Sequence, residues 1–162
     1  MPANVAIVDA ARHPSAILAE LYVEGMRPYR DWYIEEHGGA AAMKRRVADH
    51  LASGPRDNKR WLVAELDGEP VGLAGASELD QDEAVLEGVY VLPEHRGRGV
   101  GSALMEATLA GVRERTERLV VGEMVTFLEG DTPSVRLYRR SGARLRAEYM
   151  HLQADWEEPV EA

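Results

Sequence analysis

The chain has 162 residues, of which 45% are hydrophobic and 29% charged, so it predicts one globular domain and excludes a disordered polymer. The formal net charge of −9 argues against nonspecific binding to nucleic acid or to an anionic membrane. The absence of cysteine excludes disulfides, thiolate metal sites and a cysteine nucleophile. The residues after Met1 do not form a charged leader with an apolar block, and no stretch is long and apolar enough to span a bilayer. We therefore expect a soluble cytoplasmic protein.

The N-terminal third predicts a short strand followed by two helices. Val5 to Val8 is apolar and predicts the strand, and His13-Pro14-Ser15 predicts the start of a first helix. Asp31 is expected to cap a second helix, which Gly38-Gly39 interrupts. After the interruption the helix continues with Ala40, Met43, Val47 and Leu51 on one face, and we interpret Lys44, Arg45 and Arg46 as its solvated opposite face.

The middle of the chain predicts an antiparallel meander. Trp61 to Leu66 predicts a strand, and Asp67-Gly68 is a strong signal for a tight hairpin. Val71 to Ala76 is the return strand, and Ala84 to Leu92 is the third strand of the meander. Three consecutive strands joined by short turns predict antiparallel pairing.

The stretch Arg96-Gly97-Arg98-Gly99-Val100-Gly101-Ser102 follows this third strand and leads into a helical pattern. A strand, a glycine-rich turn and a helix in this order expose backbone N–H groups at the positive end of the helix, where phosphate binds well. Glycine lets the backbone approach a ligand closely, and Arg96 and Arg98 add cationic groups. We interpret the turn as a pyrophosphate site, because a bare connection needs neither the extra glycines nor the two arginines.

The C-terminal part predicts two further strands around one helix. Arg118 to Phe127 predicts a strand, Asp131-Thr132-Pro133 predicts a helix start, and Gly142 predicts its end. Ala147 to Leu152 predicts the last strand, and residues 155–162 are expected to form a loose tail. The whole order of elements predicts an α/β fold, with a mixed sheet and helices on its faces.

These residues resemble the GNAT superfamily of acyl-CoA-dependent N-acyltransferases. The resemblance rests on Val89-Tyr90-Val91, on the turn Arg96 to Gly101 and on Leu137-Tyr138 with Gly142 behind it. The family pattern Arg/Gln-x-x-Gly-x-Gly/Ala is matched by Arg96, Gly99 and Gly101. The resemblance implies a single domain over residues 1–162, built on a mixed, mostly antiparallel central sheet that is splayed at the acyl-CoA site. Helices are then expected on both faces of that sheet.

The resemblance also implies which residues bind acetyl-CoA, the expected cosubstrate, with no metal involved. Val89 and Val91 are expected to pair with the pantetheine arm, and the backbone from Gly97 to Ser102 is expected to hold the pyrophosphate. The implied coenzyme-binding residues are Val89, Tyr90, Val91, Arg96, Gly97, Arg98, Gly99, Val100, Gly101 and Ser102. The histidines show no close metal-ligand spacing.

Two catalytic groups follow from the resemblance and from the chemistry. Tyr138 matches the family tyrosine near the coenzyme sulfur, where a phenol can protonate the leaving thiolate. An ammonium acceptor must lose a proton before it attacks, and Glu87 is our candidate base, with Glu123 and water as alternatives. By strand alternation Glu87 is expected to share a face with Val89 and Val91. A strand N–H from Val89 or a neighbour is expected to face the thioester oxygen.

The predicted function is direct transfer of an acetyl group from acetyl-CoA to a primary amine in a ternary complex. The alternative is a non-catalytic module that binds acyl-CoA as a sensor. Asp131 stands where many family members have asparagine, and it is expected to cap its helix instead of binding the coenzyme. The acceptor amine is not identified, although the aromatic and acidic stretch from Tyr22 to His37 suits an amine. We expect no nucleic-acid or membrane partner, and by family analogy a homodimer is possible.

Overall fold

The computed structural model describes residues 4–52, 59–78, 83–115, 118–121 and 133–141. The chain divides into two compact units, Met1–Gly122 and Glu123–Ala162. Among the helices within the described ranges, none is both long enough and apolar enough to cross a bilayer.

The first unit follows the predicted order of elements, except that the second predicted helix is two helices, which Gly38-Gly39 separates with positive φ at both residues. Its strands are β1 Val5–Asp9, β2 Lys59–Leu66, β3 Glu69–Glu78, β4 Glu83–Val91 and β5 Arg118–Val121. Its helices are α1 Ser15–Glu24, α2 Asp31–Glu36, α3 Ala40–Ala52 and α4 Val100–Arg113, with short 3₁₀ turns at Ala10–Arg12 and Pro93–His95.

The five strands form one sheet in chain order. β1 to β4 pair antiparallel, and β5 pairs parallel to β4 after the crossover through α4. At the β2–β3 hairpin both turn residues, Asp67 and Gly68, have positive φ, at 52° and 86°. Positive φ at both positions is the geometry of the tight turn that Asp-Gly favours, so the predicted hairpin is confirmed.

Helices cover both faces of this sheet, as expected. Strand residues alternate between two apolar clusters: Val63 and Tyr90 pack with α1, α2 and α3, whereas Ala64 and Val91 pack against the start of α4. This alternation follows from the two-residue period of a strand, and it makes both faces apolar. The predicted mixed, mostly antiparallel α/β fold is confirmed.

The helices before β2 differ from prediction in two details. Asp31 is the first residue of α2 and not its cap, because the N-cap position is Arg30, which makes no side-chain capping bond. Lys44 is not simply solvated, because its Nζ lies 2.9 Å from Glu20 Oε2 and 2.8 Å from Glu24 Oε1 on α1. Burial lowers the pKa of Lys44, but the hydrogen bonds to Glu24 and Glu20 outweigh burial and raise it above its ordinary value.

The described part of the second unit is one helix, α5, which spans Pro133–Arg140. Ser141 closes its end, since the Ser141 N–H donates to the Leu137 carbonyl at 3.1 Å. The strand predicted from Arg118 is described as far as Val121. The predicted cap at Asp131, the stop at Gly142 and the last strand, Ala147 to Leu152, lie outside the described residues.

Candidate active site

The glycine turn ends in the N-terminus of α4. Gly97 and Gly99 both have positive φ, at 73° and 82°, and a Cβ added at either position would meet no atom within 4 Å. The first hydrogen bond inside the helix runs from Ala103 N to Gly99 O at 3.0 Å, so the N–H groups of Val100, Gly101 and Ser102 precede it. Gly99 is the N-cap residue and has no side chain with which to cap them. The turn therefore offers backbone donors and open space at a positive helix end, which fits a pyrophosphate.

The two arginines of the turn have different environments. Arg96 is half-buried: its Nε donates to Val91 O at 3.0 Å and its Nη2 donates to Gly25 O at 2.8 Å. Its guanidinium also lies 5.2 Å from the centre of the Tyr29 ring, and burial lowers its pKa. Arg98 is exposed. Both arginines stay predicted pyrophosphate contacts, and Arg96 also joins the end of β4 to the end of α1.

Beyond the described pairing with β5, the edge of β4 that faces away from β3 is formed by alternate residues, and of their groups Val91 O accepts from Arg96 Nε at 3.0 Å. Leu92 N donates to Val71 O at 3.0 Å, and the same register pairs Gly72 with Val91 and Leu73 with Tyr90. Because hydrogen-bonded and non-hydrogen-bonded pairs alternate in an antiparallel ladder, the polar backbone groups of Val89 and Val91 point away from β3. They are the groups predicted to pair with a pantetheine arm.

Tyr90 does not share this role. Its backbone polar groups point toward β3 by the same alternation, and its side chain is only 5% exposed. The ring packs on Tyr22 with centroids 4.5 Å apart, and the hydroxyl donates to Glu87 O at 3.2 Å. A contact of Tyr90 with the coenzyme stays a prediction, while its ring and its backbone contribute to packing inside the first unit.

Glu87 lies at an irregularity of β4. Gly75 pairs with Gly88 and Ala76 pairs with Leu86, so Glu87 is an extra residue in a β-bulge. The described pairing with β5 ends one residue earlier, where Leu86 pairs with Val121. The bulge shifts the alternation, so the predicted shared face of Glu87, Val89 and Val91 is wrong. Val89 packs in the α4-side cluster, whereas Glu87 lines a cavity beneath α1 and α3.

That cavity, of about 240 Å³, is the acceptor pocket candidate and is called the α3 pocket below. Its lining residues are Tyr22, His37, Met43, Arg46, Val47, His50, Leu51, Trp61 and Glu87. The Glu87 carboxylate is held by a hydrogen bond from the Ser77 hydroxyl to its Oε1, and Ser77 is itself buried. A carboxylate that is fixed at the wall of a cavity can receive a proton from a bound amine.

Comparison with known proteins settles the family. A family model described as "Acetyltransferase (GNAT) family" matches residues 20–143, which include the bulge, the glycine turn and Tyr138. The chain belongs to the GNAT acetyltransferase family. This confirms the resemblance that the glycine turn and the Leu137-Tyr138 pair indicate.

Two curated relatives and one solved structure extend this GNAT assignment. An uncharacterized N-acetyltransferase of Methanocaldococcus jannaschii is 30% identical over 93 residues, which cover 54% of this chain and 40% of the relative. One from Archaeoglobus fulgidus is 33% identical over 108 residues, which cover 61% of this chain and 67% of the relative. The structure of AAC(6')-Iy in complex with the bisubstrate analog CoA-S-monomethyl-acetylneamine has a TM-score of 0.58 at 19% identity. It covers 88% of this chain and 92% of that one. The chain thus spans less than half of the first relative, and the solved structure shows a shared fold.

The remaining predicted GNAT site residues lie in the second unit. Tyr138 is on α5 and is only 2% exposed. Its assignment as the acid stays a prediction. Glu123, the alternative base, and Asp131 lie outside the described residues.

Most of the α3 pocket was not anticipated from the sequence. Of the stretch proposed for the acceptor, only Tyr22 and His37 line it, while Glu24 pairs with Lys44 and Arg27. The missed residues lie mainly on α3, at positions 43, 46, 47, 50 and 51. These positions follow the i, i+3, i+4, i+7, i+8 spacing of one helix face, so this spacing could have placed Arg46 and His50 beside the apolar stripe.

Proposed function

We propose that this GNAT protein transfers the acetyl group of acetyl-CoA to a primary amine bound in the α3 pocket, by direct attack without an acyl-enzyme. Val89, Val91 and the turn from Gly97 to Ser102 bind the donor. Glu87 is the base and Tyr138 is the acid.

The position of Glu87 is the observation that carries this proposal. Its carboxylate lines the α3 pocket, while its backbone stands one residue beyond the last β4–β5 pair. The strand edge beyond that pair carries the outward backbone groups of Val89 and Val91 and leads through Arg96 into the glycine turn. An amine beside Glu87 is therefore near the edge at which a pantetheine arm would lie.

The proposed chemistry needs three proton transfers and one exchange of bonds. The acceptor ammonium gives a proton to the Glu87 carboxylate, and the neutral nitrogen forms a bond to the thioester carbonyl carbon. The carbon–sulfur bond then breaks, the departing sulfur takes a proton from the Tyr138 hydroxyl, and the nitrogen gives its second proton to water as it becomes the amide. The products are the N-acetyl amide and coenzyme A, and proton exchange with water restores both side chains, with one proton released overall. The absence of cysteine favours this direct route.

The donor side of the proposal rests on two kinds of support. The amides of Val100, Gly101 and Ser102 are oriented by a helix of 14 residues, and such a helix end favours an anion. A protein of the same fold has been solved with an analog that contains coenzyme A.

The test is release of coenzyme A thiol from acetyl-CoA in the presence of a panel of primary amines. We expect amine-dependent release, and we expect Glu87→Gln to lower kcat by about 10²- to 10⁴-fold, because the glutamine cannot accept the proton. Glu106→Gln, which removes an exposed carboxylate on α4, is the matched control and should leave the rate unchanged.

The outcomes separate three cases. A Glu87→Gln enzyme that keeps full turnover would remove Glu87 as the base. Tight binding of coenzyme A without thiol release for any amine would favour the sensor module. No binding of coenzyme A at all would refute the proposed function.

A further inference from the structure

We infer that the acceptor is a small monoamine with an apolar body and an anionic group, such as an α-amino acid with an apolar side chain. This inference rests on the proposed function, and it deepens it by naming the class of amine that the α3 pocket accepts. It is carried by the way in which apolar, acidic and basic side chains are distributed around one cavity.

The walls of the pocket are mainly apolar and aromatic. Five lining residues provide this surface: Tyr22, Met43, Val47, Leu51 and Trp61. The Trp61 ring lies directly against the β3 backbone, since a Cβ on Gly75 would lie 2.4–2.6 Å from atoms of that ring. Tyr22 meets Trp61 edge-on, with ring centroids 6.2 Å apart. Such fixed aromatic surface favours an apolar body and gives little to a fully hydrated polyamine.

The polar groups of the pocket are unequal in charge. Glu87 is the one carboxylate among the lining residues that the structure describes, while Arg46, His37 and His50 carry nitrogen groups there. One carboxylate matches one ammonium, so a second ammonium on the acceptor would meet Arg46 or apolar wall instead of a counter-ion. The whole chain has a net charge of −9, so the basic side of the pocket is opposite in sign to the charge of the protein as a whole. The arrangement suits an acceptor that carries both charges.

Arg46 lines the pocket with an exposed side chain that one hydrogen bond within the first unit orients. Its Nη2 donates to the His37 carbonyl, and a guanidinium has four further N–H donors. His37 is itself fixed: its Nδ1 lies 2.8 Å from Tyr33 O, and its ring lies 4.0 Å from the centre of the Tyr33 ring. Because a carbonyl only accepts, Nδ1 carries a proton and the Nε2 atom is the remaining site on that ring. A guanidinium fixed in this way can bind a carboxylate with little ordering cost.

The size of the pocket limits the acceptor further. Its volume of about 240 Å³ is below the roughly 300–1,000 Å³ of sites for drug-sized ligands. It therefore suits a body of about one amino acid residue. Large polyhydroxylated amines would have to leave most of their surface outside.

The experiment compares two pairs of acceptors that differ only in a carboxylate: phenylalanine with 2-phenylethylamine, and leucine with isoamylamine. Spermidine serves as the polycation. We expect kcat/KM to be about 10- to 100-fold higher for the carboxylate-bearing member of a pair, the range for a charge-assisted hydrogen bond. Arg46→Gln should reduce that ratio to about one by changing KM and not kcat. Arg45→Gln, which alters the exposed residue next to it in sequence, should leave the ratio unchanged.

Each outcome decides a different question. Equal or faster acetylation of the decarboxylated amines or of spermidine overturns the inference while the acetyltransferase function stands. A ratio that survives Arg46→Gln also overturns it, because the discrimination then arises elsewhere. If no amine releases thiol, the proposed function fails. Thermal-shift measurements then test the ligand preference of the α3 pocket by itself: phenylalanine should raise the Tm of the wild type more than 2-phenylethylamine does, and this difference should be absent in Arg46→Gln.

Discussion

The contrast between Arg96 and Arg98 gives the most direct test of the structure. Arg96→Met removes two hydrogen bonds from a charged donor, at 3.0 Å to Val91 O and at 2.8 Å to Gly25 O, and keeps most of the apolar stem. Such bonds contribute about 1.5–3 kcal/mol each. Because Arg96 is only half-buried, water can replace part of them, and we take the lower end.

The expected loss for Arg96→Met is therefore about 3 kcal/mol in the free energy of unfolding. For a chain of this length, 1 kcal/mol corresponds to about 2–4 °C, so Tm should fall by about 6–12 °C. Differential scanning calorimetry without ligand measures it. Arg96→Lys should recover less than half of the loss, because one ammonium lacks the planar fork that reaches both carbonyls.

Arg98→Met is the matched control. Arg98 is exposed, so its loss should change stability by less than about 0.5 kcal/mol while weakening the binding of coenzyme A. The reasoning is refuted if both methionine variants lower Tm equally, or if Arg96→Met weakens coenzyme binding and leaves Tm unchanged.

Two further predictions concern the glycine turn and α5. Gly99→Ala should cost about 1–2 kcal/mol by thermal unfolding and should weaken coenzyme A binding by calorimetric titration, because φ is 82° there although space is open. Gly111 lies inside α4 and also has no atom close to an added Cβ, so Gly111→Ala should raise the free energy of unfolding by about 1 kcal/mol. If both alanine variants lowered the free energy of unfolding, the positive φ of Gly99 would not explain its loss. Tyr138→Phe should lower kcat by about 10²- to 10⁴-fold with KM for the amine unchanged, and full turnover across the pH range would exclude Tyr138 as the acid.

The fold and the backbone conformation of the glycine turn were largely predictable from local patterns. The Asp67-Gly68 hairpin, the Gly38-Gly39 break and the start of α4 all depend on residues whose backbone preferences are strong and local. The glycine turn was found in the same way, since Gly97 and Gly99 adopt the positive φ that few other residues tolerate. Local signals of this kind survive tertiary packing because an alternative backbone would be strained.

The acceptor side was predicted less well, for reasons that lie in packing. Glu87 was placed on the wrong face because the sequence carries no clear sign of the β-bulge, and one extra residue reverses the alternation. Arg46 is exposed, as the sequence predicts, but its contact with the His37 carbonyl is not predictable, because it links two helices across a glycine break. The sequence also does not show how Tyr90 packs, because its partners, Tyr22 and Leu73, are distant in sequence.

By itself the sequence determined the order of elements, the two sheet faces and the glycine turn at a helix end, because each depends on residues close together in the chain. Only the tertiary structure decided which arginine is held inside the fold, which way Glu87 faces and which side chains enclose the α3 pocket. Those three outcomes depend on contacts between segments far apart in sequence, whose free energies no local pattern records.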